Sequence, residues 1–252
     1  MQYKYAKEQQ DYSDFSSGRV FYSLPGHPAF PVRLASEIFQ RCVTQRAAIY
    51  KEKSRSTLYD PCCGAAYHLS VLAYLHSEYI REIVASDIDE KAVTLASRNL
   101  GLLRMQGLDQ RIHELSEMVN QYGKESHREA LQSASTLRSR LSAFRENHPL
   151  ETYVFQASAT DRKAISAHIQ PGSVDIVFTD VPYGRHSQWQ DTDLSVPFTP
   201  LKAMLDALQD VLSASSILAI ASDKQQKVSH ESFQRIEQFQ VGKRRVVILK
   251  PV

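Results

Sequence analysis

Four consecutive residues, Asp180-Val181-Pro182-Tyr183, have the types needed to hold and activate a poor nucleophile. A nitrogen conjugated to a ring or a carbonyl is planar, and its delocalised lone pair attacks an electrophile weakly. A carboxylate and a neighbouring loop carbonyl, both accepting its N–H groups, stabilise the charge that develops on nitrogen during attack. Pro182 stiffens the turn. Tyr183 offers a face on which a flipped base stacks, worth about 1–3 kcal/mol per base, against the few kcal/mol lost in unstacking it. A plain strand-end turn uses the same Asp, Pro and Gly residues. What raises the run above that is its place two strands after an acidic position suited to ribose. Gly184, Arg185 and Trp189 follow directly and are candidate substrate contacts through phosphate or a neighbouring base.

A second constellation runs from a strand into a helix: Asp60-Pro61-Cys62-Cys63-Gly64-Ala65-Ala66-Tyr67. Open α/β sheets bind ligands at such carboxyl ends. Gly64 tolerates positive φ and close backbone approach. A dinucleotide needs three glycines to nest its pyrophosphate, and here one remains. A cofactor without phosphates, such as S-adenosylmethionine, tolerates that, with Asp60 holding its ammonium directly or through water. Asp87, roughly 20 residues beyond the turn, matches the position at which a carboxylate accepts both hydroxyls of a ribose diol. Ile88 adjoins it, and Asp89 fits equally as ligand or as helix cap. After the third strand, Ser158-Ala159 and Asp161 mark the adenine end of this pocket, either Ser158 or Asp161 making the contact. The (Asn/Asp)-x-Pro-Tyr form of 180–183 is that of methyltransferases acting on conjugated amino groups.

These residues need a frame that brings strand ends together. Short β-branched runs at 56–60, 82–87, 152–157, 174–180 and 216–222 alternate with amphipathic stretches at 67–79 and 90–103. Such alternation implies a doubly wound α/β fold with a mostly parallel sheet. Residues 233–239 and 243–250, joined through Val241-Gly242, complete seven strands as an antiparallel hairpin. Residues 1–50 form an N-terminal extension, helical over 31–46. Residues 104–150 exceed what a crossover needs and form a helical insertion, either a substrate-contacting appendage or a solvated helical hairpin. The whole of 1–252 is expected to be one domain.

With 42% hydrophobic and 23% charged residues the chain is an ordinary globular protein,. It shows no apolar run of membrane-spanning length and no secretion signal, so a cytoplasmic protein acting as a monomer is expected. Its three cysteines, two of them adjacent, form neither a disulfide framework nor a zinc set,. A net charge of +2 leaves any nucleic-acid footprint to a local patch,. The C-terminal stretch 224–250, with seven Lys or Arg (Lys243, Arg244 and Arg245 among them) against Glu231 and Glu237, is the candidate footprint, read either as a solvated hairpin or as a phosphate contact.

The chain resembles the AviRa family of ribosomal RNA guanine methyltransferases over nearly its whole length. The resemblance rests on residues 25–35, 37–41, 60–64, 85–89 and 179–184, and on Tyr122-Gly123-Lys124 in the insertion. It implies a Rossmann-like fold, S-adenosylmethionine held by Asp60, Gly64 and Asp87, and a guanine of large-subunit (23S) ribosomal RNA held at 180–183. The family motif has Gly-Ser-Gly where this chain has Gly64-Ala65-Ala66, and an acid where it has Ser158. Antibiotic resistance does not follow from the resemblance, since the same activity fits a housekeeping role equally. Without the resemblance, a protein glutamine amide fits the same loop chemistry, and a catalytically weak RNA-binding module fits the altered pocket.

Overall fold

The computed structural model describes residues 3–8, 10–23, 29–145, 148–181 and 200–252. One sheet contains β1 (Ser56–Asp60), β2 (Ile80–Asp87), β3 (Glu151–Gln156), β4 (Val174–Asp180), β5 (Leu212–Asp223), β6 (Phe233–Val241) and β7 (Arg244–Pro251). Its order is β3-β2-β1-β4-β5-β7-β6. The first five of these pair in parallel, and β7 is antiparallel to both β5 and β6. The doubly wound, mostly parallel seven-stranded architecture read from the sequence is the one observed. The chain winds outward from β1 to one side and then from β4 to the other, which opens a crevice above β1 and β4.

Helices α1 (Val32–Tyr50), α2 (Tyr67–His76), α3 (Glu90–Gly101), α4 (Met105–Tyr122), α5 (Glu125–Arg145), α6 (Arg162–His168) and α7 (Pro200–Leu208) cover the sheet. Both faces must be apolar for this to be stable, and strand alternation divides the core accordingly. Leu58, Ile83, Phe178, Ala219 and Ile248 join one buried cluster, while Tyr59, Val84, Val177, Leu218 and Leu249 join the other. β5 begins four residues before the apolar run at 216–222, because Leu212 still pairs with Val174 of β4. A partner strand, not an apolar pattern, extends it.

The insertion is not a free appendage. α4 and α5 lie antiparallel, with Asp109 paired to Arg138, and their apolar stripe (Leu108, Leu115, Leu137, Leu141) enters the same core as Phe15, Val20 and Phe21. Gly107 sits so close to the Gly101 carbonyl that a side chain has no room there, which sets the tight α3–α4 turn. The N-terminal segment is latched to α1 by buried Glu37, whose carboxylate accepts the amides of Lys4, Tyr5 and Ala6 at 2.8, 2.9 and 2.9 Å. It also accepts Nε of Arg41 at 2.8 Å. Among the described residues no helix is long and apolar enough to cross a membrane.

Candidate active site

Parallel pairing brings the chemically suggestive residues to one edge. Asp60 lies opposite Ala85, Asp87 opposite Gln156, and Asp180 opposite Ala221. The turns after β1, β2 and β3 therefore adjoin, with Asp180 across the crevice on β4. Two backbone bonds prolong the ladder beyond the strand ends: Cys63 N–H to Ser86 O at 3.0 Å, and Ala157 N–H to Asp87 O at 3.1 Å.

Asp60 is fully buried. Its Oδ1 accepts the Cys62 amide at 2.9 Å, and its Oδ2 lies 3.3 Å from Nε2 of His68. Burial raises its carboxyl to about 8, against the Thr179 hydroxyl and Cys62 amide that favour the charged form, and Asp87 and Asp180 add repulsion. Burial likewise lowers His68 to about 4, so this buried acid has a neutral imidazole beside it.

Gly64 takes φ +53°, and a Cβ built on it would meet nothing within 4 Å. The turn is open on that side. Ala66 also takes positive φ, at 51°; this is where the family motif has its second glycine, so a side chain here tolerates a conformation costing about 1–2 kcal/mol. The Gly64 amide donates to Oδ2 of Asp87 at 2.8 Å, and the Asp89 amide to Oδ1 at 3.0 Å. Burial raises the Asp87 carboxyl, and these amides oppose the rise. A carboxylate offers about four lone-pair sites, so Asp87 orders the Gly64 turn and keeps acceptor capacity for hydroxyls.

The neighbouring candidates divide. Asp89 caps α3 through the Lys91 amide at 2.9 Å, and Asp161 caps α6 through Ala164 at 3.0 Å. Half-buried Ser158 stands at the end of β3, its Oγ 3.0 Å from the Thr160 hydroxyl, beside buried Ala159. The Ile88 carbonyl accepts Gln156 Nε2 at 2.9 Å, which ties the second turn to β3. Pro61 is buried in the first turn, and burial raises the Cys62 and Cys63 thiols well above the usual range. Tyr67 is engaged with the N-terminal segment: its hydroxyl donates to the Phe15 carbonyl and its ring meets Phe21 edge-on.

On the β4 side, Asp180 Oδ2 lies 3.5 Å from Nη2 of Arg244. Pro182, Tyr183, Gly184, Arg185 and Trp189 lie outside the described residues. The basic stretch 243–245 is not laid out as one strip. Lys243 sits in the hairpin turn, its carbonyl accepting the Lys224 amide, and strand alternation sends Arg244 and Arg245 to opposite faces. Arg245 reaches the Gln226 carbonyl at 3.1 Å.

Sequence reasoning missed three contributors: His68, Thr179 and Phe30. Phe30 packs edge-on against Phe178 at 5.5 Å and against the His68 ring at 5.8 Å. His68 left a signal, since it is an imidazole in the first turn of an otherwise largely apolar helix. An apolar cavity of about 270 Å³, lined by Val43, Ala47, Ser56 and Tyr79 among others, lies at the opposite end of β1 and shares none of these residues.

The family described as rRNA methyltransferase AviRa matches residues 1–244. The 23S rRNA (guanine(2535)-N(1))-methyltransferase of Streptomyces viridochromogenes is 38% identical over 248 residues, which is 98% of this chain and 95% of that protein. Two crystal structures of rRNA methyltransferase AviRa from the same organism superpose with a TM-score of 0.85. One, at 38% identity, covers 100% of this chain and 96% of its own; the other, at 37%, covers 99% and 96%.

Proposed function

The chain belongs to the AviRa family of rRNA methyltransferases, and from that premise we propose that it methylates N1 of a guanine in large-subunit ribosomal RNA, with S-adenosylmethionine as donor. The observation that carries this reading is the pairing of two sites across one crevice: the open Gly64–Asp87 turn on one side, and Asp180 at the end of β4 on the other.

The residues present fit the cofactor. Gly64 leaves space where a side chain would stand, Asp87 has acceptor capacity for a ribose diol, and Ser158 with Ala159 closes the adenine end. Asp60 contributes through the turn it holds, its Oδ1 accepting the Cys62 amide, and a bound ammonium group would draw its carboxyl towards the charged form. When bound, S-adenosylmethionine supplies an electrophilic methyl group on a sulfonium.

Guanine N1 carries a proton and lies beside a carbonyl, so its lone pair is delocalised. Asp180 accepts the N1–H hydrogen bond, stabilises positive charge developing on nitrogen, and takes the proton as the new N–C bond forms. Pro182 and Tyr183 act by residue type, stiffening the loop and stacking the extruded base. The entire chain works as one unit; in support, Phe15, Phe21 and Leu34 of the N-terminal extension and Leu108, Leu115 and Leu137 of the insertion share one core cluster. It acts as a monomer in the cytoplasm.

The test is transfer of labelled methyl from S-adenosylmethionine to 23S RNA, naked and in large-subunit particles. Label is expected in RNA and is lost in Asp180→Ala. An N1-methylated guanine cannot pair on its Watson–Crick edge, so reverse transcription should stop there. Nuclease-resistant label on protein would point instead to a glutamine amide, and no incorporation into either RNA form would overturn the reading.

A further inference from the structure

Arg244 stands out because its surroundings are wrong for a phosphate contact. Only 22% of its side chain is exposed, and it faces Asp180, itself 25% exposed, with Nη2 3.5 Å from Oδ2. Its guanidinium carbon lies 5.1 Å above the Phe30 ring, a geometry that attracts a cation to an aromatic face. Phe30 is in turn fixed by Phe178 and His68.

The topology explains how β7 reaches β4. Val246 and Ile248 belong to the same core cluster as Phe178, so alternation by two puts Arg244 and Asp180 on one face of the sheet. Between them, β5 presents Ala221, paired to Asp180 on one side and to Val246 on the other. A methyl group leaves room for the guanidinium to cross β5. On β5 the cross-strand neighbour of Arg244 is Asp223, whose Oδ1 instead accepts the Gln225 amide at 2.9 Å.

We propose that Arg244 is a positioning residue for methyl transfer: held on the Phe30 ring, it orients the Asp180 carboxylate towards the reacting nitrogen. This rests on the functional reading above and deepens it. It also couples the N-terminal extension to the chemistry, since Phe30 belongs to that extension. The contact is a single one, Nη2 to Oδ2 at 3.5 Å, with the planar guanidinium seated on the ring, so a lysine would keep the charge but not the stacking that places it.

The experiment measures methyl transfer to 23S RNA by the full chain and by Arg244→Gln, Arg244→Lys and Phe30→Leu, with thermal unfolding and cofactor calorimetry on each. For Arg244→Gln, kcat at saturating RNA and cofactor is expected to fall roughly 10- to 100-fold. KM for RNA, its salt dependence and cofactor affinity should stay within about twofold of wild type. Arg244→Lys should recover part of kcat, and Phe30→Leu should lower kcat in the same sense. If Arg244→Gln does not fold, the Lys variant is read alone and must still lower kcat without raising KM. A raised KM for RNA with a flatter salt dependence and intact kcat would make Arg244 a phosphate anchor and overturn the assignment. Unchanged kinetics in both Arg244 variants would overturn it too. A wild-type chain that methylates no RNA overturns the functional reading itself, and this assignment with it.

Discussion

Replacing Asp87 by asparagine tests whether one carboxylate both builds the cofactor turn and binds the cofactor. Its two oxygens each accept a backbone amide, from Gly64 at 2.8 Å and from Asp89 at 3.0 Å. Asparagine keeps one acceptor and presents an NH2 group in place of the other, so one amide faces a donor and loses its partner. Leaving such a group unsatisfied costs about 1–3 kcal/mol. A ribose diol would lose charge-assisted hydrogen bonds as well, each worth about 1–2 kcal/mol more than its neutral counterpart. Cofactor affinity should therefore weaken by about 2–4 kcal/mol, or roughly 30- to 1,000-fold in Kd. Calorimetric titration of S-adenosylmethionine into the Asp87→Asn protein reads this directly. Thermal unfolding reads the lost turn bond, at about 2–4 °C in Tm per kcal/mol for a chain of this size. A Kd within threefold of wild type, with Tm unmoved, would refute both roles.

Gly64→Ala should separate fold from function at the same turn. The new methyl meets nothing within 4 Å, so stability falls only by the left-handed strain of about 1–2 kcal/mol, whereas cofactor affinity should drop more than tenfold if the cofactor needs this space; equal losses in both would contradict that. Asp60 titrates near 3.8 when exposed and at about 8 when folded, so its contribution to stability is fully present at low pH and is lost as pH rises through about 8. His68 and His76, held to about 4 by burial, contribute stability that is present above 6.5 and lost as pH falls towards 4. Between pH 6.5 and 8 Asp60 dominates these three, and Asp60→Asn should flatten the decline in urea-unfolding free energy; parallel slopes in the two proteins would sink the argument. Burial alone would raise Glu37, but the amides of Lys4, Ala6 and Tyr5 with Arg41 hold its carboxyl below the usual value. Glu37→Gln should cost about 3–5 kcal/mol at neutral pH, a deficit that narrows as acidification below pH 4.5 protonates the wild-type group; a Tm unchanged at pH 7 would refute the latch.

Much of this protein was legible in order along the chain. β-branched runs separated by amphipathic stretches gave away the parallel sheet, since a strand buried on both faces must be apolar throughout and a crossover helix must be apolar on one. Asp60, Asp87 and Asp180 were legible because each ends such a run, and Gly64 because it stands in the turn just after one; strand ends are where backbone groups lack partners and ligands gather. Their convergence on one edge followed once the sheet was parallel.

Other decisions required the third dimension. Whether Asp89 serves as a cap depends on which amide its carboxylate faces, and the structure brings it to the α3 amide of Lys91. Tyr67 reads as part of the first turn, and only the structure brings the Phe15 carbonyl, 52 residues away, to its hydroxyl. The insertion read as polar, yet its apolar stripe closes over the N-terminal segment. Three adjacent cations read as one patch, but a strand's period of two sent Arg244 to the Asp180 face and Arg245 to the other. Sequence determined which residue types stand at each strand end, because propensity and periodicity act locally. Only the tertiary structure decided their partners, because a hydrogen bond or ion pair forms between whatever packing brings within about 3 Å, and that separation bears no relation to distance along the chain.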